Sequence, residues 1–322
     1  MKKFGLAMTA MLLAVSMTAC ASNPSDSGEQ KLQIGIIQPA EHAALDSARE
    51  EFVDTLADHG YVDGETIEID YQNAQGDSSA LLTISQRFVG DDCDLVLAIG
   101  TGAAQSIASQ TSEIPVLITA VTDPVDAGLV QSNEAPGTNI TGTNDMNPIR
   151  EQMELIREFL PDVQTVGLLY TSSEDNSALQ IQEVKAVLEE MNVGYVEQTV
   201  TGSNDVQQAV QSILGKCDAL YIPTDNTLAA SAALVGSAAQ TAKIPVFWGE
   251  GNCVAEGGLA SLGLDYYNLG RQTGEMAVEV LEGADPAVMP IQSQSDYSYT
   301  ISKSMAEEIE IEIPKHLLEF AE

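Results

Sequence analysis

Glu41 and His42 stand side by side, a carboxylate next to an imidazole, the pairing that general acid–base catalysis uses. No nucleophile accompanies them. The chain has no Gly-x-Ser-x-Gly elbow and no Walker-type phosphate loop. His42, His59 and His316 never occur at ligand spacing, and Cys93, Cys217 and Cys253 are too widely scattered for a zinc site or a disulfide framework. A histidine in such company hydrogen-bonds or packs. The other reactive-looking residues are of the kind that hold a ligand. Gly100-Thr101-Gly102 leads into a helix, where free amides and the helix dipole favour a carboxylate. Thr101 can cap that helix, bond a ligand, or do both. Asp225-Asn226-Thr227 is more polar than capping alone requires, and Asp225 or Asp265 can each pair with an ammonium or cap a helix. The residue types point to binding without chemistry, with neither metal nor cofactor expected.

The elements that must position these residues alternate between strand and helix. Strands are expected at Gln33–Gln38, Ile67–Asn73, Asp94–Gly100 and Val116–Ala120, with helices at 43–59, 78–89 and 103–110 between them. The same order returns with strands at 165–170, 193–200, 218–222, 244–248 and 259–263, and helices at 177–191, 204–214, 228–241 and 269–281. A late strand at 297–301 and a helix at 303–308 close the pattern. This is α/β: two Rossmann-like lobes with parallel sheets covered on both faces. Ligands of such sheets sit outside the carboxyl ends of the strands. That rule selects the loops holding Glu41 and His42, Thr101, Thr122 and Asp123, then residues 171–177, Asp225, Asn226 and Thr227, Glu250, and the turn 264–267 with Asp265. Trp248, the only tryptophan, ends a second-lobe strand, as either a stacking surface or hinge packing.

Short stretches confirm that the lobes follow one plan. Ile34-Gly35-Ile36-Ile37 answers to Val166-Gly167-Leu168-Leu169, Cys93-Asp94-Leu95 to Cys217-Asp218-Ala219, and Ile114-Pro115-Val116 to Ile244-Pro245-Val246, at offsets of 132, 124 and 130 residues. The order is kept while loop lengths drift. Two lobes of one topology leave a cleft between them, where small molecules bind. Thr138–Pro148 lacks periodicity and reads as a strand end plus a hinge.

At the start, Lys2 and Lys3 precede an apolar stretch, Phe4–Val15, too short to span a bilayer, which reads as a secretory signal. Met17-Thr18-Ala19-Cys20 resembles a bacterial lipobox, with Met17 where leucine is usual, so residues 1–20 are expected to be a lipoprotein signal and Cys20 the lipid-modified residue. Residues 21–31 are polar and suit a flexible tether. Against 48 acids the chain sets 13 bases, a formal charge of −35, which argues against nucleic acid or anionic lipid headgroups as partners.

The stretches 34–52, 67–89, 118–130, 222–231 and 262–283 together resemble the ABC-transporter substrate-binding lipoproteins of the type I periplasmic-binding-protein fold, in the branch that binds tryptophan and other aromatic amino acids. The resemblance implies a three-segment hinge, with residues 32–143 plus 266–290 in lobe 1 and 144–265 plus 291–322 in lobe 2. It implies a monomer that captures a small solute, an amino acid by preference, and delivers it to an ABC permease and ATPase from a lipid anchor on the cell surface or periplasmic face. It also places a carboxylate near Thr101 and Thr122, an ammonium near Asp225 or Asp265, and a side chain near Tyr170 and the Glu41–His42 loop. Gln38, at the end of the first strand, joins that set. A sugar or nucleoside receptor and a ligand-sensing domain remain alternatives on the same fold.

Overall fold

The computed structural model describes residues 31–322; the expected signal peptide, Cys20 and nearly all of the tether lie outside the described residues. Residues 31–322 are one compact unit. The chain runs through β1 (Leu32–Gln38), α1 (Ala43–Asp58), β2 (Ile67–Asn73), α2 (Ser78–Gly90), β3 (Leu95–Ile99), α3 (Thr101–Ala108), β4 (Val116–Val121) and β5 (Ile140–Asn144). It crosses to a second lobe with α4 (Ile149–Phe159), β6 (Thr165–Thr171), α5 (Asp175–Glu190), β7 (Gly194–Val200), α6 (Val206–Leu214) and β8 (Ala219–Ile222). That lobe continues with α7 (Asn226–Ala229), α8 (Ala232–Ala242), β9 (Val246–Trp248) and β10 (Ala260–Gly263). Then α9 (Tyr266–Leu281) and β11 (Gln292–Ser293) return to the first lobe, while β12 (Ser298–Ile301) and α10 (Lys303–Glu308) end in the second.

Each lobe is a six-stranded sheet, ordered β11-β5-β4-β3-β1-β2 in the first and β12-β10-β9-β8-β6-β7 in the second. The orders correspond strand for strand, as the internal repeat requires. All pairings are parallel except β12 against β10, which is antiparallel. The central strands β3 and β4 are buried along their whole length, as continuous aliphatic runs must be when helices cover both faces. Cys93, Cys217 and Cys253 are buried small residues.

Three local outcomes depart from the periodicity. Residues 149–159 form a helix directly after Pro148, with Ile149, Gln152, Met153, Ile156 and Phe159 buried at helical spacing on one face. Its frequent charges sit on the other face and mask the stripe. The helix expected over 228–241 is two, because the chain turns at Ser231 between α7 and α8. Finally, Gln292 and Ser293 pair with Thr143 and Asn144, so Asn144 belongs to the first sheet and the last crossing follows Ser293.

The first lobe depends on close packing of α9 against α1. Gly270 makes this approach possible: a Cβ there would stand 2.2 Å from the Ala48 carbonyl oxygen. Because both partners are helix backbone, neither can give way locally. Gly270→Ala is therefore expected to lower stability by about 2–3 kcal/mol, the scale of overpacking. A urea titration reads this as a lower midpoint with unchanged slope, and an unchanged midpoint would contradict the close-packed seam.

Candidate functional site

The carboxyl ends of both sheets face one another, and the loops there bound two connected regions. The inner one is a small space of about 10 Å³. The first lobe contributes His42, Ala120, Thr122, Asp145 and Tyr266 to it, and the second Asn176, Asp225, Asn226 and Glu250. The outer region is a cavity of about 560 Å³, lined by Pro39, Glu41, Leu81 and Gly102 from one lobe and by Glu174, Asn226 and Thr227 from the other. Asn176 and Asn226 line both. No Lys or Arg lines either region.

The inner wall of the second lobe is built by two carboxylates that organise backbone. Asp225 caps α7 through the Leu228 amide (2.9 Å) and also accepts from the Thr171 amide (2.6 Å), the Thr171 hydroxyl (2.8 Å) and the Ser177 hydroxyl (2.8 Å). Burial, and after it the Glu174 carboxylate, push the Asp225 pKa up against those donors. Glu174 accepts from the amides of Asn226 (2.9 Å) and Thr227 (3.0 Å) and from both their side chains. The bond from Asn226 Nδ2 to Glu174 fixes that amide, so its Oδ1 faces His42 Nε2 across the cleft at 3.3 Å. An oxygen there requires His42 to carry its proton on Nε2. His42 Nδ1 then faces Glu250 Oε1 at 3.6 Å, also across the cleft, and forms no hydrogen bond. Glu250 accepts from Cys253 Sγ at 2.9 Å, a thiol that burial keeps protonated by raising its pKa. Gln105 Nε2 to Asp175 Oδ2, at 3.0 Å, is a further bond between lobes.

The first lobe's inner wall is less satisfied. Asp145 is 2% exposed, and its Oδ2 accepts from the Tyr266 hydroxyl at 2.7 Å. Its Oδ1 has no partner of ordinary geometry, the nearby Thr122 hydroxyl included. Burial pushes the Asp145 pKa up to about 6; the Tyr266 and Thr122 hydroxyls oppose the shift and the Glu250 carboxylate adds to it. Thr101 Oγ1 is likewise buried without a partner. Beside them Ala120 takes a left-handed conformation, φ 54°, where the β4–β5 register slips. A non-glycine residue there costs about 1–2 kcal/mol, and such strain concentrates at functional sites.

The structure thus brings His42, Thr122, Asp225, Asn226 and Glu250 around the inner space, and Glu41 and Thr227 around the outer cavity. It turns four expected residues to other tasks. Gln38 donates to the Ala40 carbonyl and to Asp46, and Asp123 accepts from the amides of Val125 and Asp126. The Tyr170 hydroxyl donates to Glu197 at 3.2 Å. Asp265 is exposed and caps α9 through the Tyr267 amide. Trp248 is neither a cleft surface nor hinge packing but part of the second lobe's core, its ring against Gly258. Sequence reasoning missed Asp145, and it selected the loops 171–177 and 264–267 without singling out Glu174, Asn176 and Tyr266 within them. Reading Ile140–Asn144 as a full strand would have found Asp145, since it directly follows that strand's carboxyl end.

Two α/β lobes of one topology, crossed three times by the chain and closed over a polar space, define a type I periplasmic binding protein. The profile described as "ABC transporter substrate binding protein" matches residues 33–322, and the chain belongs to that family, one of solute-binding proteins rather than enzymes. It is 39% identical to the tyrosine-binding protein of Clostridioides difficile, over 97% of this chain and 93% of that one. Among solved structures, an ABC domain from Streptococcus pneumonia in complex with L-Trp is 40% identical with TM-score 0.87, covering 91% of this chain and 99% of that one. A ligand-free, open substrate-binding protein with adhesive properties from Clostridium difficile is 42% identical, yet its TM-score is 0.67, covering 88% and 96%. In the present structure the two lobes meet directly across the cleft, through His42–Asn226 and Gln105–Asp175.

The burial of Asp145 has a stability consequence. Folded Asp145 holds a proton up to about pH 6, whereas the unfolded chain releases it near the ordinary 3.8. Stability is thus expected to fall as pH rises from 4 through 6 and to level off above. Between pH 5 and 7.5 the part due to Asp145 is about 1 kcal/mol. Asp145→Asn should remove that part, so the urea midpoint of the ligand-free variant gains on the wild type at pH 7.5 relative to pH 5. Parallel pH profiles would contradict the assignment.

Proposed function

We propose that this protein captures an amino acid, by preference an aromatic one, and presents it to an ABC permease and ATPase, from a lipid anchor at Cys20. The observation that carries this reading is the closed inter-lobe site itself. An outer cavity of about 560 Å³ fits a small solute, and it meets an inner space ringed by buried polar groups, of which His42 Nδ1 and Asp145 Oδ1 have no partner. Buried polar groups left unpartnered cost about 1–3 kcal/mol each, so a solute that completes them favours closure. The Tyr and Trp named for the similar proteins supply the ligand class. The site's polarity fits an amino acid: acids crowd the inner space, and the outer cavity includes Gly102 at the start of α3, where a carboxylate meets free amides and the helix dipole. The side chain then lies against Pro39, Leu81 and Ala230 in the outer cavity. The expected apolar stretch ending at Cys20, and the absence of any long apolar helix among the described residues, support anchoring rather than spanning.

A ligand that binds only the folded state raises its melting midpoint by mass action. At one hundred times Kd, tyrosine, tryptophan or phenylalanine is expected to raise the midpoint of residues 31–322 by about 5 °C. A shift with a sugar or nucleoside and with no amino acid would contradict the reading.

A further inference from the structure

The inner space has a size and a charge that select one part of the ligand. At about 10 Å³ it accommodates a single water-sized group, and no ring or carboxylate enters it in the closed form. Three carboxylates converge on it from separate elements: Asp145 after β5, Asp225 before α7 and Glu250 after β9. The charged or titratable groups facing Asp145 are Tyr266 from α9, Glu250, Asp225 and the His42 imidazole, and none is a Lys or Arg.

Asp225 is already committed, accepting four hydrogen bonds from its own lobe. Glu250 is engaged at Oε1, which faces His42 and accepts from Cys253. Asp145 alone presents a buried, unpartnered carboxylate oxygen to the space. Its other oxygen is pinned by Tyr266, which fixes the direction of the free one. A –NH₃⁺ group matches both the volume and the missing donor.

The geometry points to Asp145 as the seat of the ligand's ammonium, with Tyr266 as the residue that orients it. This assignment rests on the amino-acid reading above. It moves the ammonium from the loops of Asp225 and Asp265 to the strand end of the first lobe. Closure then brings Glu250 of the second lobe over the charge, beside His42 of the first, so the second lobe completes a shell that the first begins. The remainder of the amino acid extends past Asn176 and Asn226, which line both regions, into the outer cavity.

A ligand-by-residue cycle tests it by calorimetry at pH 7.5, with L-tyrosine and its deaminated analogue 3-(4-hydroxyphenyl)propionate on the wild type and on Asp145→Asn. Removing one partner of a buried charge pair costs enough to weaken binding about 30- to 1,000-fold. The wild type is therefore expected to prefer L-tyrosine by that factor, and Asp145→Asn to reduce the preference to about 5-fold or less through loss of the pair. Equal binding of the two ligands by the wild type overturns the assignment without needing the variant. An undiminished preference in a folded Asp145→Asn protein also overturns it, while leaving the amino-acid reading intact. If neither L-tyrosine nor L-tryptophan binds the wild type, both the assignment and the amino-acid reading fall.

Discussion

Every polar atom that the two lobes bury between them needs a partner, and this requirement governs the rest of the molecule. The second lobe meets it internally. Asp225 and Glu174 accept hydrogen bonds from the loops they organise, and their geometry sets the Asn226 amide that faces His42. The first lobe leaves Asp145 Oδ1 and His42 Nδ1 without partners at the inner space. A finished wall thus faces an unfinished one. The solute supplies the groups that the unfinished wall lacks, and hinge closure follows the solute because it shields those groups from water.

The duplicated scaffold explains how one chain builds two such walls. Both sheets keep the same strand order, and their carboxyl ends point into one cleft. What differs is the chemistry of the loops: His42, Thr122 and an incompletely partnered Asp145 on one side, carboxylates bonded to their own loops on the other. The strain at Ala120 and the register slip between β4 and β5 occur where the first lobe bends toward Asp145. The repeat therefore sets the scaffold, and local departures from it make the site.

Much of this was legible in the residues. Strand and helix alternation located nearly every element, and the rule of strand carboxyl ends brought His42, Thr122, Asp225, Asn226 and Glu250 to the inner space. The rest was hidden for physical reasons. Asp145 follows Ile-Thr-Gly-Thr-Asn, a strand with little apolar content because it is short and interior to a hinge. α4 was hidden by charges on its solvent face, although its buried stripe is regular. Asp265 and Asp225 have the same residue type at similar helix starts, and only packing separates them. One caps an exposed helix end, and the other is buried at the lobe interface. Tyr170 was expected beside the ligand's side chain, but it lines neither region and its hydroxyl donates to Glu197 on the neighbouring strand.

The central claim is that a ligand's ammonium completes the inner space and the outer cavity holds the rest. A crystal structure of the protein with L-tyrosine bound tests this most directly. The account predicts the ligand nitrogen within about 3 Å of Asp145 Oδ1, beneath the closed pair of His42 and Glu250. A nitrogen lying in the outer cavity, with the inner space filled by water, would contradict it.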